Sequence, residues 1–184
     1  MDFLPEGYEV PKSAGNYMKF EEGENRFRIL GKAIIGYLYW VTEKDGKRSP
    51  RRVHMNDTIP IGELEGDDKP KHFWAMPVYN FDVDKIQILE ITQKGLHTSI
   101  KALVDNKKWG NPENYNLAVT RVGKDFNTKY SVQPEPQDKA EEELLKDVRK
   151  QYKEMNIDLD ALYEGGDPFA NSEDVLTEEF NNIV

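Results

Sequence analysis

The stretch KHFWAMPVYNFDVDKIQILEIT, residues 71–92, predicts two β-strands joined by a tight turn. β-branched and aromatic residues fill 72–81 and 86–92, and such residues favour strands. Asp82 and Asp84 fall between the two runs. They lack the further ligands and the glycine of a calcium-binding loop, so we assign them to the turn rather than to a cation site.

Four more strands are predicted, two before this pair and two after it. The same enrichment, bounded by Gly, Pro or Asp, gives the ranges 25–30, 34–42, 115–122 and 126–132. The last two are separated by residues 123–125, which suits a compact hairpin. Apolar residues at the spacing of one helix face, Leu96, Ile100, Leu103 and Val104, predict a short helix before that hairpin, with Thr92 placed to cap its start.

The order of these elements predicts a mainly β fold. Strands, a single helix and a closing hairpin fit a five-stranded OB-fold, a Greek-key barrel with one inserted helix, if Gly31 and Gly36 bend the first strand around the barrel. Residues 43–71 are then a long loop inserted after the first strand. Loops of this length without their own structure are usually functional or disordered.

Charge divides the chain into a balanced body and an acidic end. Residues 1–134 hold 20 Lys and Arg against 19 Asp and Glu, whereas residues 135–184 hold 5 against 15. Asp138 and Glu141 have the spacing of a capping box, which predicts a C-terminal helix. We therefore expect an N-terminal arm at 1–16, an OB-fold domain at 17–136, a helical extension at 137–164 and an acidic tail at 165–184.

Several classes of site and function are disfavoured by composition. The chain has no cysteine, hence no disulfide and no thiolate zinc site. It shows neither a signal-peptide pattern nor an apolar run long enough for a bilayer, so we expect a cytoplasmic protein without a membrane partner. His54, His72 and His97 stand apart, and no phosphate-cradling glycine loop or nucleophile elbow is present. We expect no enzyme, no metal and no cofactor.

Aromatic and basic residues interleave in a way that indicates nucleic-acid binding. The rings either fill the barrel core or stack on unpaired bases, and sequence does not separate these two roles. The candidate rings are Tyr37, Tyr39, Trp40, Phe73, Trp74 and Tyr79. The candidate cations, placed on the loop after the first strand, beside the next strand and around the last hairpin, are Lys47, Arg48, Arg51, Arg52, Lys71, Arg121, Lys124 and Lys129.

Four stretches resemble the single-stranded-DNA-binding proteins of tailed bacteriophages: YMKFEEGENRFRIL, KHFWAMPVYNFDVDKIQILEITQKG, WGNPENYNLAVTRVGKDFNTKYSV and PEP. The resemblance spans roughly residues 17–136. It implies an OB-fold that coats single-stranded DNA during phage replication and recombination in the cytoplasm of the infected bacterial host. It also implies an acidic tail that recruits phage replication proteins such as a polymerase, a helicase/primase or a recombinase.

The tail of this chain carries acids and a few apolar residues near its end. The predicted partner-binding residues are Asp167, Glu173, Asp174, Glu178, Glu179, Phe180, Ile183 and Val184. The last two residues differ from the Pro-Phe ending of bacterial relatives, and the zinc module of some phage relatives is missing. An alternative remains open, in which the acidic segment is the working surface of a protein-interaction module or DNA mimic and the barrel is only its scaffold. A nuclease is disfavoured, since no clustered carboxylates suggest a metal site.

Overall fold

The computed structural model describes residues 15–66 and 68–172. Its strands are β1 (Tyr17–Met18), β2 (Gly23–Ile29), β3 (Ile34–Thr42), β4 (Arg48–His54), β5 (Lys71–Asn80), β6 (Lys85–Ile91), β7 (Asn116–Val122) and β8 (Lys129–Glu135). The helices are α1 (Lys94–Asp105) and α2 (Lys139–Met155), with short 3-10 helices at Ile61–Glu63, Pro112–Asn114, Asp125–Asn127 and Leu159–Glu164. The prediction of a mainly β chain is confirmed.

One mixed sheet is organised around β5. The strand pairs with β6 on one side and with both β2 and β3 on the other, all antiparallel. β7 pairs with β2, β8 with β7 and β4 with β3, while β1 runs parallel to β6. Within the described residues β6 and β8 do not pair, so the sheet is not closed. This arrangement is compatible with a β-barrel-like fold.

The path formed by β2 and β3 is a single strand broken at residues 30–33, where a bend was predicted at Gly31. Ile29 pairs with Val78, and pairing with β5 resumes at Ile34 and Ala75. Pro77 occupies the interruption, and its carbonyl accepts a hydrogen bond from the N–H of Leu30 at 2.9 Å. In an antiparallel ladder the N–H and C=O of one residue point to the same side of the strand. The side on which Pro77 has no N–H to donate is therefore the side of residues 30–33, where the pairing is interrupted.

Residues 48–54 correct one prediction. The sequence places Arg48, Arg51 and Arg52 on a loop, whereas the structure has them on β4, paired with the outer half of β3. The hairpin closes through a turn in which Gly46 adopts a φ of 82°. Among the described strands β4 pairs only with β3, and an edge strand of this kind tolerates Pro50. β4 contains almost no apolar residues, so it lacks the alternation of apolar and polar residues by which a strand is recognised in a sequence.

The predicted helix caps had different outcomes. The side chain of Asp138 accepts the N–H groups of Ala140 and Glu141, which confirms it as the cap of α2. The cap of α1 is Gln93 rather than the predicted Thr92, and it makes no side-chain capping bond. Ile100 of α1 packs into the sheet as expected, whereas Val104 of the same predicted stripe is exposed.

Both faces of the sheet are covered. The inner face holds a core that includes Phe27, Leu117 and residues of α1. The outer face packs against the C-terminal segment, which buries Leu145 and Val148 of α2, then Leu162 and Phe169. Phe169, within the predicted acidic tail at 165–184, is only 3% exposed, so the chain packs against the sheet at least as far as this residue.

Candidate nucleic-acid interface

The six candidate rings divide by burial. Tyr39, Phe73 and Tyr79 are buried, with Phe73 fully enclosed in the core of the outer face. The hydroxyl of Tyr79 donates to Asp84 at 3.0 Å, and burial together with this bond raises the pKa of Tyr79 to about 12. In this conformation the three rings have the environment of structural residues and do not face a ligand.

Trp74 and Tyr37 are partly buried beside two histidines. The indole of Trp74 stacks on His97 with 4.6 Å between ring centroids, and its Nε1–H donates to His72. The ring of Tyr37 lies 5.7 Å from that of His72 in a tilted contact. Trp74 also lines an apolar cleft of about 360 Å³ between the sheet, α1 and residues 111–113. Both rings are therefore held by side-chain contacts and are only partly accessible.

Trp40 is the exposed member of the set. It lies near the end of β3 on the face opposite to Tyr39, and 43% of its surface is accessible. The guanidinium of Arg48 lies 5.9 Å from its ring centroid, a cation–π geometry. A ring paired with a cation at a hairpin end is suited to a base and its phosphate.

The cations of the β3–β4 hairpin are mostly neutralised within the chain. Arg51 contacts Glu43 at 2.6 Å, and Arg48 forms an ion pair with Asp68. The hydrogen bond from Ser49, with help from Arg51, lowers the pKa of Glu43 below its ordinary value. Lys47 lies 3.8 Å from Asp45 and is largely exposed. The basic stretch of the sequence is thus not an open positive surface.

Arg52 is set apart from the others by burial. Its side chain is only 13% exposed and contacts Glu90 of β6 through Nε at 2.6 Å. This partly buried ion pair connects β4 to β6, which are not neighbours in the sheet. Its geometry favours a structural role for Arg52.

Between β4 and β5, residues 55–66 and 68–70, which we call the acidic loop, fold back over the β3–β4 hairpin. The hydroxyl of Tyr39 donates to Glu63 at 2.8 Å. Glu65 accepts two hydrogen bonds from Thr42, one from the backbone N–H and one from Oγ1, both at 2.8 Å. Burial and the Glu63 bond raise the pKa of Tyr39. The loop therefore covers the ring of Tyr39, which was a candidate for base stacking in the sequence analysis.

The β7–β8 hairpin presents free cations at its turn. The side chains of Lys124 and Lys129 are exposed, and neither ammonium group has a hydrogen bond or ion pair with the described part of the chain. Arg121 differs, because its Nη1 donates to the carbonyl of Phe20 at 2.9 Å and its Nε is buried without a partner among those residues. Lys71, on β5, is also exposed and unpaired among them.

Phe126 is the residue that sequence reasoning missed. It sits at the tip of the β7–β8 hairpin and is fully exposed, a rare state for phenylalanine. The sequence placed it at the start of the predicted strand 126–132 and not among the candidate binding rings. Asp125 before it has a φ of 52°, which shows a turn at this point rather than a strand. The available signal was the KDFN sequence, since Asp and Asn favour turns.

The two hairpin turns lie at opposite ends of the β2–β3 path. Gly23, where β2 begins, pairs with Arg121 next to the β7–β8 turn. Thr42, where β3 ends, pairs with Arg48 next to the β3–β4 turn. A ligand that touched both Phe126 and Trp40 would therefore extend along this path.

Most of the predicted partner-binding residues lie outside the described residues: Glu173, Asp174, Glu178, Glu179, Phe180, Ile183 and Val184. Asp167 is described, and its side chain accepts the N–H of Phe169 at 2.9 Å. In the described ranges no cluster of three or more His, Asp or Glu side chains offers a metal site. No helix there has the length and apolar character needed to span a bilayer.

The chain is similar to a protein of Escherichia phage T5 named as a probable ssDNA-binding protein. The two are 25% identical over 142 residues, which cover 64% of this chain and 54% of the phage protein. The chain thus spans about half the length of this curated relative. No family model matches the chain. No solved structure matches it either.

Proposed function

We propose that this protein binds single-stranded DNA and catalyses no reaction on it. The observation that carries the proposal is the similarity to the phage T5 protein named as a probable ssDNA-binding protein. Exposed rings next to cations supply the chemistry that such binding needs, since bases stack on aromatic faces and phosphates pair with Lys and Arg. Phe126 with Lys124 and Lys129 is one such group, and Trp40 with Arg48 is the other.

We propose an OB-fold as the scaffold. The β2–β3 path corresponds to a bent first strand, β5 and β6 to the second and third, and β7 and β8 to the fourth and fifth. α1 stands between the third and fourth strands, where the inserted helix was expected. On this assignment β4 is an addition to the first connecting loop, and the β7–β8 turn is the second loop that contacts nucleic acid in such folds.

The further biological role is part of the same proposal. The domain at 17–136 coats single-stranded DNA during phage replication and recombination in the cytoplasm of an infected bacterium. The acidic residues beyond 172 recruit a replication partner, and their charge and apolar ends suit a basic pocket on that partner. The arm at 1–16 and the helical extension that starts at 137 flank the binding domain.

The test is a titration of labelled oligo-dT at a series of salt concentrations, with duplex of the same length as the comparison. If about 3–5 phosphates are neutralised, log K should fall with log salt with a slope of about −2 to −3.5. Binding to the single strand should exceed binding to duplex. Equal affinity for the two, or affinity that does not change with salt, would overturn the proposal.

A further inference from the structure

The carboxylates of the acidic loop make contacts that a nucleic-acid phosphate would make. Glu65 takes one backbone N–H and one hydroxyl from Thr42, with both distances at 2.8 Å. Asp68 pairs with the guanidinium of Arg48, and Glu63 accepts the hydroxyl of Tyr39. Phosphate oxygens in protein–DNA contacts are bound by the same donors: backbone N–H groups, hydroxyls and arginines.

One of these donors, the backbone N–H of Thr42, lies on an open strand edge. β5 pairs with β3 only as far as Leu38, so residues 39–42 of β3 have no strand on that side within residues 15–66 and 68–172. The N–H of Glu43 donates to Lys47 across the hairpin, and therefore the N–H of Thr42 points to the open side. In the present structure the carboxylate of Glu65 accepts the hydrogen bond from that N–H.

The contacts between the loop carboxylates and the hairpin are polar. Of the apolar side chains of the loop, Met55 and Ile61 are exposed, with Ile61 at 85%, while Ile59 and Leu64 are partly buried. Arg48 and Asp68 are each about half exposed, and exposed ion pairs stabilise a structure weakly because water and salt screen them. An anion that supplied equivalent contacts would therefore compete with the loop on similar terms.

Removal of the loop carboxylates Glu63, Glu65 and Asp68 would give this surface a net positive charge. Its remaining charged groups are five cations, Lys44, Lys47, Arg48, Arg51 and Lys71, against two carboxylates, Glu43 and Asp45. A cluster of this composition attracts a polyanion. The displaced loop would also uncover the ring of Tyr39, which is 4% exposed at present.

We propose that the acidic loop occupies a phosphate-binding track on the open edge of the β3–β4 hairpin, and that the backbone of single-stranded DNA displaces it. The inference rests on the proposed function and adds to it a phosphate contact, next to Trp40, that is closed in the free protein. The track consists of the three residues that the loop carboxylates contact: Thr42, Tyr39 and Arg48. Its ligand is a phosphodiester, and the carboxylates of Glu63, Glu65 and Asp68 act as the competing anions.

The first experiment measures oligo-dT binding by the triple variant Glu63→Gln, Glu65→Gln and Asp68→Asn. The amides keep the size of the side chains but remove the competing charges. Binding should tighten by about tenfold at low salt, since several weak exposed charge contacts no longer have to be broken. The slope of log K against log salt should become steeper, because cations that no longer pair with the loop displace additional counterions from the DNA.

A matched control separates local competition from overall charge. The triple variant Asp105→Asn, Glu143→Gln and Glu154→Gln removes the same number of charges from exposed positions on α1 and α2. Its affinity should stay within about twofold of wild type, because distant exposed charges are screened. An equal gain in both triple variants, or no gain in the loop variant, would overturn the inference while leaving the proposed function intact. If no form binds oligo-dT, the proposed function fails and the inference with it.

A second measurement uses the unmodified protein. Hydrogen exchange at the backbone amides of the acidic loop should become faster when saturating oligo-dT is added, because the loop loses its contacts with β3. The amide of Thr42 should remain protected, since a phosphate replaces Glu65 as its acceptor. Slower exchange throughout the loop would mean that DNA binds over it and does not displace it, and would overturn the inference.

Discussion

Trp74 holds His72 in one tautomer. The Nε1–H of the indole donates to Nε2 of His72 at 3.1 Å, so this nitrogen is the acceptor and carries no proton. The proton of the neutral ring is then on Nδ1, which lies 2.9 Å from the carbonyl of Gly36 and donates to it. The contact ties a candidate base-stacking ring to the centre of the sheet.

The neighbouring His97 makes the stability of the protein depend on pH. Burial lowers the pKa of His97 below its ordinary value of 6.5, and His72 lowers it further, against the opposing effect of the bond to Ile91. A histidine whose folded pKa is depressed stabilises the fold fully above 6.5, and this contribution is lost as the pH falls from there towards the folded pKa. The melting temperature should therefore drop as the pH is lowered from 7 to 5. In His97→Gln the drop should be smaller, and an unchanged pH profile would contradict this assignment.

Phe126→Ala should weaken binding to oligo-dT without affecting the fold. A stacked base contributes about 1–3 kcal/mol when its aromatic partner is replaced by alanine. The melting temperature should stay at the wild-type value, because the ring is fully exposed and buries nothing. Phe126→Trp is the control and should retain affinity. Equal binding by the alanine variant and wild type would remove this hairpin tip from the DNA path.

Two truncations should behave differently. A chain ending at Glu164 lacks Phe169, whose ring packs in the core of the outer face, and should lose about 3–5 kcal/mol of stability. A chain ending at Ser172 keeps all of the described packing and should melt near the wild-type temperature. Denaturant unfolding of the two gives the comparison. If both were as stable as the full chain, the packing of 165–172 would contribute nothing to stability.

Glu142→Ala should destabilise the protein much more than Glu143→Ala. Glu142 contacts the fully buried guanidinium of Arg28 at 2.6 Å, whereas Glu143 pairs with the exposed Lys146. Removal of one partner of a buried pair leaves an uncompensated charge, at a penalty of about 3 kcal/mol, while an exposed pair contributes about 0–1 kcal/mol. Adjacent positions on one helix make this a matched comparison by chemical unfolding. Similar losses in both variants would argue against α2 being anchored through Arg28.

Elements with a local signal could be predicted from the sequence. The runs 72–81 and 86–92 have the composition of strands and became β5 and β6, and the turn at Asp82 and Asp84 followed from the same pattern. The cap at Asp138 was also readable, because a capping bond involves only residues close in sequence. A mainly β chain with two helices could be predicted on this basis.

Tertiary structure alone decided which candidate side chains are accessible. Tyr39 and Trp40 are neighbours in sequence, yet one is buried under the acidic loop and the other is exposed beside Arg48. β4 has no apolar pattern of its own, and it forms because its backbone pairs with that of β3. In the sequence Phe169 belongs to an acidic segment, whereas in the structure its ring packs against the outer face of the sheet. The reason is that burial and charge pairing arise from contacts between distant segments, whereas composition and spacing record only what each segment favours locally.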